Sequence, residues 1–316
     1  MIITMNTLYF QYVIEVDRTN SITQAAENLF IAQPNLSKAI KELEANLGFK
    51  IFKRTSKGVI PTPRGVTFLE HARRIVRQLD EIDALCKPED KDYFSLNISI
   101  PRSSYVADGV TDFIVGLDPA GGLDLNVHET NSLQAIRDVA EGDYALGVIR
   151  YKTEYESYFQ DYLKEKGLHG ELLWEFDYLA LMSKQHPLSA VPSLGESDME
   201  SYVELINGDN AIPYVNAEKA DARKKKNIPG KRIVLYERCN QFELLSRVHT
   251  AFMWVSPVPE HMMSRYNLVQ RKCAVPGNRC KDLLISVKGR RYSELEKKLI
   301  DKIYEAKNNV AFNDYR

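Results

Sequence analysis

The stretch AQPNLSKAIKELE, residues 32–44, combines side chains that a plain surface helix does not need together. Leu36, Ile40 and Leu43 recur at helical spacing, so one face is expected to be buried. The other face carries Pro34, Asn35, Lys38 and Lys41, crowded toward the helix start. An amide offers paired donor and acceptor atoms and an ammonium a compact positive charge, the groups that read base edges and hold phosphates. The next segment, KIFKRTSKGVIPTPR, holds Lys50, Lys53, Arg54, Lys57 and Arg64 and no acidic residue. With 42 basic against 43 acidic residues the chain has a net charge of −1. Any charge offered to an acidic polymer must therefore be local, and this segment supplies it.

Such groups need a rigid mount. TLYFQYVIEV reads as a helix with Leu8, Tyr12 and Val13 inward. Ser21 offers an N-cap to ITQAAENLF, whose Ile22, Ala25, Ala26 and Leu29 form a narrow stripe that lets another helix approach closely. After a break at IAQ, Pro34 sits in the first turn of the next helix, where its missing N–H costs nothing, and Gly48 supplies the C-cap. Helix, tight turn, helix is the helix-turn-helix arrangement, and the outward face of 33–42 suits a major groove. Phe52, Val59 and Ile60 predict a small hairpin around Ser56-Lys57-Gly58, a basic wing. Thr62-Pro63 then caps a long helix in which Phe68, Ala72, Ile75, Leu79, Ile82 and Cys86 alternate in steps of four and three. That spacing is the seam of a short coiled coil, hence dimerisation, and KPEDKD ends the helix as a linker.

From about residue 93 the pattern becomes alternating strand and helix. FSLNISIP, GGLDLNVHE and DYALGVI read as strands, SSYVADGVTDFIVGL and SLQAIRDVAEG as the helices between them. This predicts an α/β layer with a largely parallel sheet. A second such unit is expected to begin near Leu172 with LLWEFDYLALMS read as one strand, and to continue through AIPYV, KRIVLYE, FELLSRV and AFMWVS. CKDLLISVKG returns as a late strand, and Ser293 with Glu296 forms a capping box for the last helix. No apolar run is long enough to span a bilayer, and MIITMNTLYFQYV does not read as a signal peptide, so the cytoplasm is the expected compartment. Four cysteines in 316 residues are no disulfide framework. The six histidines lack metal-ligand spacing, and GxSxG, a phosphate loop ending in GK[ST], CxxC and HExxH are all missing, so neither a catalytic residue, a metal nor a cofactor is expected. The basic stretch ARKKKNIPGKR, residues 222–232, reads as a solvated loop.

Residues 7–87, through NSITQAAENLFIAQPNLSKAIKELEANLGFKIFKRTSKGVIPTPRG and the helix after it, resemble the DNA-binding region of LysR-type transcriptional regulators. The remainder, with QHPL after a strand and a returning last segment, resembles that family's effector domain. The resemblance implies a winged helix-turn-helix with a linker helix, then a two-subdomain α/β effector domain like periplasmic binding proteins. The corresponding boundaries are 1–65, 66–92 and 93–316, with subdomain I at about 93–165 and 267–316 and subdomain II at about 166–266. It implies a double-stranded DNA operator, a small-molecule effector and a second copy of the chain (dimer or tetramer) as partners, and no membrane. Carried over, Gln33, Pro34, Asn35, Ser37 and Lys38 become the base-facing start of the recognition helix. Lys41, Ser21 and Thr23 become phosphate contacts, and Lys53, Arg54, Thr55 and Lys57 the wing. Ala32 departs from the hydroxyl residue many relatives place there, which puts the helix cap in question.

In the effector half Ser103 and Ser104, and then Thr130, Asn131 and Ser132, follow strand ends and open helices, while Asn240 and Gln241 take the matching place in the second subdomain. Ligands of open α/β sheets sit outside the carboxyl ends of strands, and helix N-termini favour negative charge, so a small anionic effector is expected there. Ordinary helix capping explains each hydroxyl alone equally well. Two other functions stay open: a redox-responsive regulator using Cys273 and Cys280, and an enzyme with an appended DNA-binding domain, which would need a nucleophile or cofactor motif beyond residue 90.

Overall fold

A computed structural model describes residues 6–55, 58–86, 94–118, 122–191, 194–208, 231–236 and 240–313, with the backbone alone described at 77, 80–81, 83–86 and 94. The chain divides into two compact units, Met1–Lys91 and Asp92–Arg316.

The first unit runs α1 (Leu8–Thr19), α2 (Ile22–Asn28), α3 (Gln33–Leu47), β1 (Phe52–Thr55), β2 (Gly58–Pro61) and α4 (Pro63–Cys86). Its core joins Val13, Val16, Ala25, Ala26, Leu36, Ile40, Leu43, Ile51 and Leu69. The two alanines of α2 are buried, as their stripe predicts. The inward face of α1 differs from expectation: Phe10, Val13 and Val16 are buried, whereas Leu8 is 43% exposed and Tyr12 half-buried. The buried face is rotated from the one its apolar pattern suggests, because Phe10 is held against Phe68 at 5.9 Å between ring centroids.

β1 and β2 pair antiparallel, Phe52 opposite Pro61 and Thr55 opposite Gly58. Two glycines let this hairpin sit close to the helices. At Gly58, with φ of +111°, a Cβ would lie 2.6 Å from the Asn20 carbonyl oxygen, which accepts the Val59 N–H at 2.9 Å. At Gly65 a Cβ would lie 2.0 Å from the carbonyl oxygen of Ile51. Thr62 caps α4 by accepting the Gly65 N–H at 3.0 Å while donating to the Lys50 carbonyl at 2.7 Å.

The expected seam of α4 is unevenly exposed. In its first turns Ala72 is buried, and the half-buried Phe68 packs on Phe10 and Phe49. Arg73 is bound there too, to Asp17 at 2.5 Å. The described part of α4 thus packs with the first unit, which extends past residue 65. Further along, Leu79 is half-buried, while Ile75 and Ile82 are 38% and 54% exposed. The Cys86 side chain lies outside the described residues.

In the second unit one five-stranded sheet has the order β4-β3-β5-β14-β6, from β3 (Phe94–Ile100), β4 (Leu123–Glu129), β5 (Leu146–Lys152), β6 (Leu168–Asp177) and β14 (Arg279–Val287). The other has the order β10-β9-β11-β7-β12, from β7 (Leu179–Ser183), β9 (Val203–Asn207), β10 (Arg232–Leu235), β11 (Ala251–Val255) and β12 (Leu268–Arg271). A short parallel pair, β8 (Leu194–Gly195) with β13 (Cys273–Ala274), stands apart from both. In each five-stranded sheet four strands run one way and the fourth in order, β14 or β7, runs against them. The largely parallel expectation holds, and the reversed strand is the first that each sheet receives after the chain crosses into it. The two sheets share one topology although the sequence carries no detectable repeat.

The subdomain boundaries shift. LLWEFDYLALMS is two strands rather than one, and they belong to different sheets: β6 closes the first, β7 enters the second, and Tyr178 stands between them. β12 lies in the second sheet, so the return crossing follows it at 275–278 rather than near 267. An unbroken apolar pattern with neither Gly nor Pro hides the first crossing. Helices α5 (Ser104–Val115), α6 (Ser132–Glu141) and α7 (Glu156–Glu165) flank the first sheet with the final helix Glu294–Ala311; α7 is an addition to the expected elements. The Ser293–Glu296 capping box forms. The expected strand AIPYV and residues 222–230 lie outside the described residues.

Glu44, 7% exposed under α3, accepts the N–H groups of Ile51 (2.9 Å) and Phe52 (3.2 Å) and the Lys50 ammonium (2.7 Å). Glu44→Ala strands two buried donors and is expected to cost about 1–3 kcal/mol in chemical denaturation. Glu44→Gln, which keeps an acceptor oxygen, is expected to cost less; equal losses would contradict this role.

Candidate functional site: a nucleic-acid interface

α3 begins with Pro34 in its first turn and with Ala32 as an N-cap that makes no side-chain capping bond. The cap questioned at Ala32 is thus missing, and the Ala32 carbonyl holds the turn by accepting from Asn35 (2.9 Å) and Leu36 (3.2 Å). Pro34, Asn35, Lys38 and Lys41 are exposed or partly so, Gln33 and Ser37 stand at the same helix start, and Leu36, Ile40 and Leu43 are buried. Ser21 caps α2 by accepting the Gln24 N–H at 3.3 Å, and Thr23 is exposed. In β1, Lys53, Arg54 and Thr55 are exposed; Lys57 lies outside the described residues.

The basic groups divide into two sets. Lys50 is spent on Glu44, and the Arg64 guanidinium lies 5.1 Å from the centre of the Phe49 ring. Lys38, Lys41, Lys53 and Arg54 enter no ion pair among the described residues. A helix start and a hairpin edge thus present uncompensated positive charge, with the Asn35 amide on the same helix start. Phe30 escaped the sequence reading. It follows α2 in the left-handed region (φ 54°) and is 96% exposed. A residue of that size gains nothing from burial to offset the strained backbone.

In the second unit the expected hydroxyls have unequal roles. Asn131 caps α6, accepting the Gln134 N–H at 3.0 Å. Ser132 donates to the Arg150 carbonyl at 2.6 Å and accepts the Arg150 N–H at 3.0 Å. Both side chains thus have bonds within the fold, Asn131 to its own helix and Ser132 to β5. Thr130 is buried, and its N–H bonds the Ile100 carbonyl. Ser103 and Ser104 are buried where α5 begins, and Ser103 makes no capping bond. Its hydroxyl instead accepts from Arg150 Nη2 at 2.9 Å and meets Ser256 Oγ at 3.3 Å. Asn240 is exposed in the left-handed region, and Gln241 is buried with Oε1 unpartnered among the described residues.

The organising group is one the sequence reading missed. Arg150 forks onto Asp282, Nε to Oδ1 at 2.7 Å and Nη2 to Oδ2 at 2.6 Å, and Tyr105 donates to the same carboxylate at 2.5 Å. Its guanidinium also lies 4.8 Å from the Phe176 ring centre and 5.9 Å from that of Tyr178. Burial opposes the Arg150 charge, but the Asp282 carboxylate, with its hydrogen bonds, more than offsets it, so the Arg150 pKa is raised. Burial and then the Asp282 charge push the Tyr105 phenol well up. The available signal was Asp282 itself, a carboxylate inside the apolar run CKDLLISV. His186 of QHPL is structural: Nδ1 accepts the Leu188 N–H at 3.0 Å, and burial lowers its pKa.

A helix-turn-helix with a basic hairpin, followed by two α/β sheets of one topology about a double crossing, is the arrangement the chain presents. Residues 9–66 match the family described as bacterial regulatory helix-turn-helix protein, lysR family. It is 45% identical over 78 residues to the uncharacterized HTH-type transcriptional regulator YcgK of Bacillus subtilis, which is 25% of this chain and 24% of that protein. Over three curated relatives the match spans 24%, 60% and 25% of their lengths. The fold is that of full-length LysR-type proteins. A full-length OxyR variant from Pseudomonas aeruginosa superposes with a TM-score of 0.60 at 15% identity, covering 96% of this chain and 94% of that one. Full-length CbnR, solved in complex with its target DNA, gives 0.53 at 15% identity, covering 96% and 100%.

The redox alternative meets a physical obstacle. Cys273 lies in β13, paired with Leu194, and Cys280 in β14. Burial pushes both thiols up to about 11. At pH 7.5 iodoacetamide is therefore expected to label both about two orders of magnitude more slowly in the native chain than in the unfolded chain. Peptide mass spectrometry reads this; rapid native labelling, or a Cys273–Cys280 disulfide after mild peroxide, would restore the redox reading.

Proposed function

We propose that this chain is a transcriptional regulator that binds a double-stranded DNA operator through the start of α3 and the wing, and responds to a small effector in the cleft of its second unit. The observation that carries the reading is the unspent charge of Lys38, Lys41, Lys53 and Arg54 around the Asn35 amide, within a LysR-family domain. Asn35 would pair with an adenine edge, Lys38 with guanine acceptors or a phosphate, and Lys41, Thr23 and the wing with phosphates. Gln33, Pro34 and Ser37 would line the same approach, with Ser21 capping α2 beside it. The resemblance to CbnR, whose complex with target DNA is solved, supports the assignment at the level of fold.

The protein would act in the cytoplasm as a homo-oligomer, with the exposed Ile75 and Ile82 of α4 as the partner-facing stripe. Among the described residues no helix is long and apolar enough to cross a membrane. Effector binding would centre on Ser103, Ser104, Thr130 and Gln241. The uncapped start of α5 favours an acceptor-bearing or anionic group there. No catalytic step is proposed.

Asn35→Ala and Lys38→Ala are each expected to weaken specific binding by about 1–3 kcal/mol and to relax preference at one position per half-site. Competition between operator and single-base variants measures this, and unchanged discrimination in both variants would move the readout elsewhere.

A further inference from the structure

The two halves of the second unit are joined by crossings at Tyr178 and at 275–278, and the crossings are tied together. Tyr178 N–H donates to the Asn278 carbonyl at 3.2 Å, and Asn278 Nδ2 donates to the Tyr178 carbonyl at 2.8 Å. These two bonds tie the connections where the halves join. Beyond them, α5 of the first half meets the second half at two points. Ser103 Oγ lies 3.3 Å from Ser256 Oγ, with both residues buried. Asp108 Oδ1 lies 3.4 Å from Nε2 of His261, whose side chain is 63% exposed. Ser103 and Asp108 are five residues apart, as are Ser256 and His261, so the two segments meet in register.

The inner point is prepared by the first half alone. Arg150 donates to Ser103 Oγ while its fork is fixed on Asp282, and the same guanidinium packs against the Tyr178 ring at the crossing. The outer point is electrostatic. Burial raises the Asp108 carboxyl, His261 draws it down, and Asp112 raises it again. Neither contact contributes to the core of either sheet. A hydroxyl pair and a partly exposed carboxylate–imidazole contact are each worth only about a fivefold shift in an equilibrium. Contacts of that size hold a closed arrangement without making it permanent.

We propose that Ser103–Ser256 and Asp108–His261 form a two-point latch that holds the two halves together, with Arg150 as the residue that positions its inner point. Opening separates α5 from the 256–266 segment about the Tyr178–Asn278 hinge. A ligand that reaches the Ser103 hydroxyl must replace Ser256 there, so binding and release of the latch are linked. That regulatory meaning rests on the effector reading above; the latch itself is tested without ligand.

Hydrogen–deuterium exchange of the full chain, read by mass spectrometry at one pH, compares the wild type with Ser256→Ala, His261→Ala and the double variant. Each single change is expected to raise exchange severalfold in peptides covering 104–112 and 257–266, and the double change to raise it further. Peptides of β3, β5 and β14, and the thermal midpoint, are expected to stay as in the wild type. His261 is exposed, so its replacement tests the outer point even if Ser256→Ala perturbs packing. Wild-type exchange in both segments of the double variant would overturn the proposal, and so would a uniform rise throughout the unit with a lower midpoint, the mark of a merely structural contact. Neither result would bear on whether the cleft takes an effector.

Discussion

The geometry of the basic surface formed by α3 and β1 depends on one buried carboxylate. Glu44 lies on the inner side of α3, yet it is bonded to the backbone at the start of the wing rather than to another helix. The polar groups presented outward, Asn35 and Lys38 on one element and Lys53 and Arg54 on the other, are held in mutual register by that junction. The same carboxylate takes the ammonium of Lys50, which removes one cation from the surface and leaves the others unpaired. A buried charge is tolerable only with full hydrogen bonding, and the three donors supply it.

The second unit has a counterpart in Arg150 and Asp282. A guanidinium forked onto a fully buried carboxylate is costly to desolvate and severe to break, so it fixes geometry more than it adds stability. Here it fixes the junction of α5, β5 and β14 beside the crossing at Tyr178. Both halves repeat one strand order, so each is a self-sufficient layer, and α5 touches the other half through a few polar contacts. Stiff halves joined by weak contacts are suited to movement as bodies.

Much of this was legible in the sequence, for physical reasons. Caps and breakers set the helix-turn-helix: Ser21, Pro34, Gly48 and Thr62 act locally, and all four stand where their chemistry requires. The strands β3, β4 and β5 and their helices were legible because periodicity switches cleanly between the strand and helix repeats. What escaped was non-local. Phe68 and Ala72 fit a coiled-coil seam as well as they fit the core of their own domain, and the packing of Phe68 there depends on Phe10, on another helix. Tyr178 carries no breaker, so two strands of different sheets read as one. Asn131 and Ser132 could be placed at a helix start, but whether the Ser132 hydroxyl is free or already bonded depends on Arg150, which lies on another strand. Asp282 was visible as an anomaly whose partner the sequence did not identify.

The central claim is that the first turns of α3 enter the DNA. A photo-crosslinking amino acid placed at Asn35, and for comparison at Asn46 in the exposed last turn of the same helix, tests it directly on selected operator DNA. Because the two positions carry the same native residue, the comparison isolates place along the helix. The account predicts efficient cross-linking to bases from position 35 and little from position 46. Equal yields from the two positions, or cross-links from position 46 alone, would contradict it.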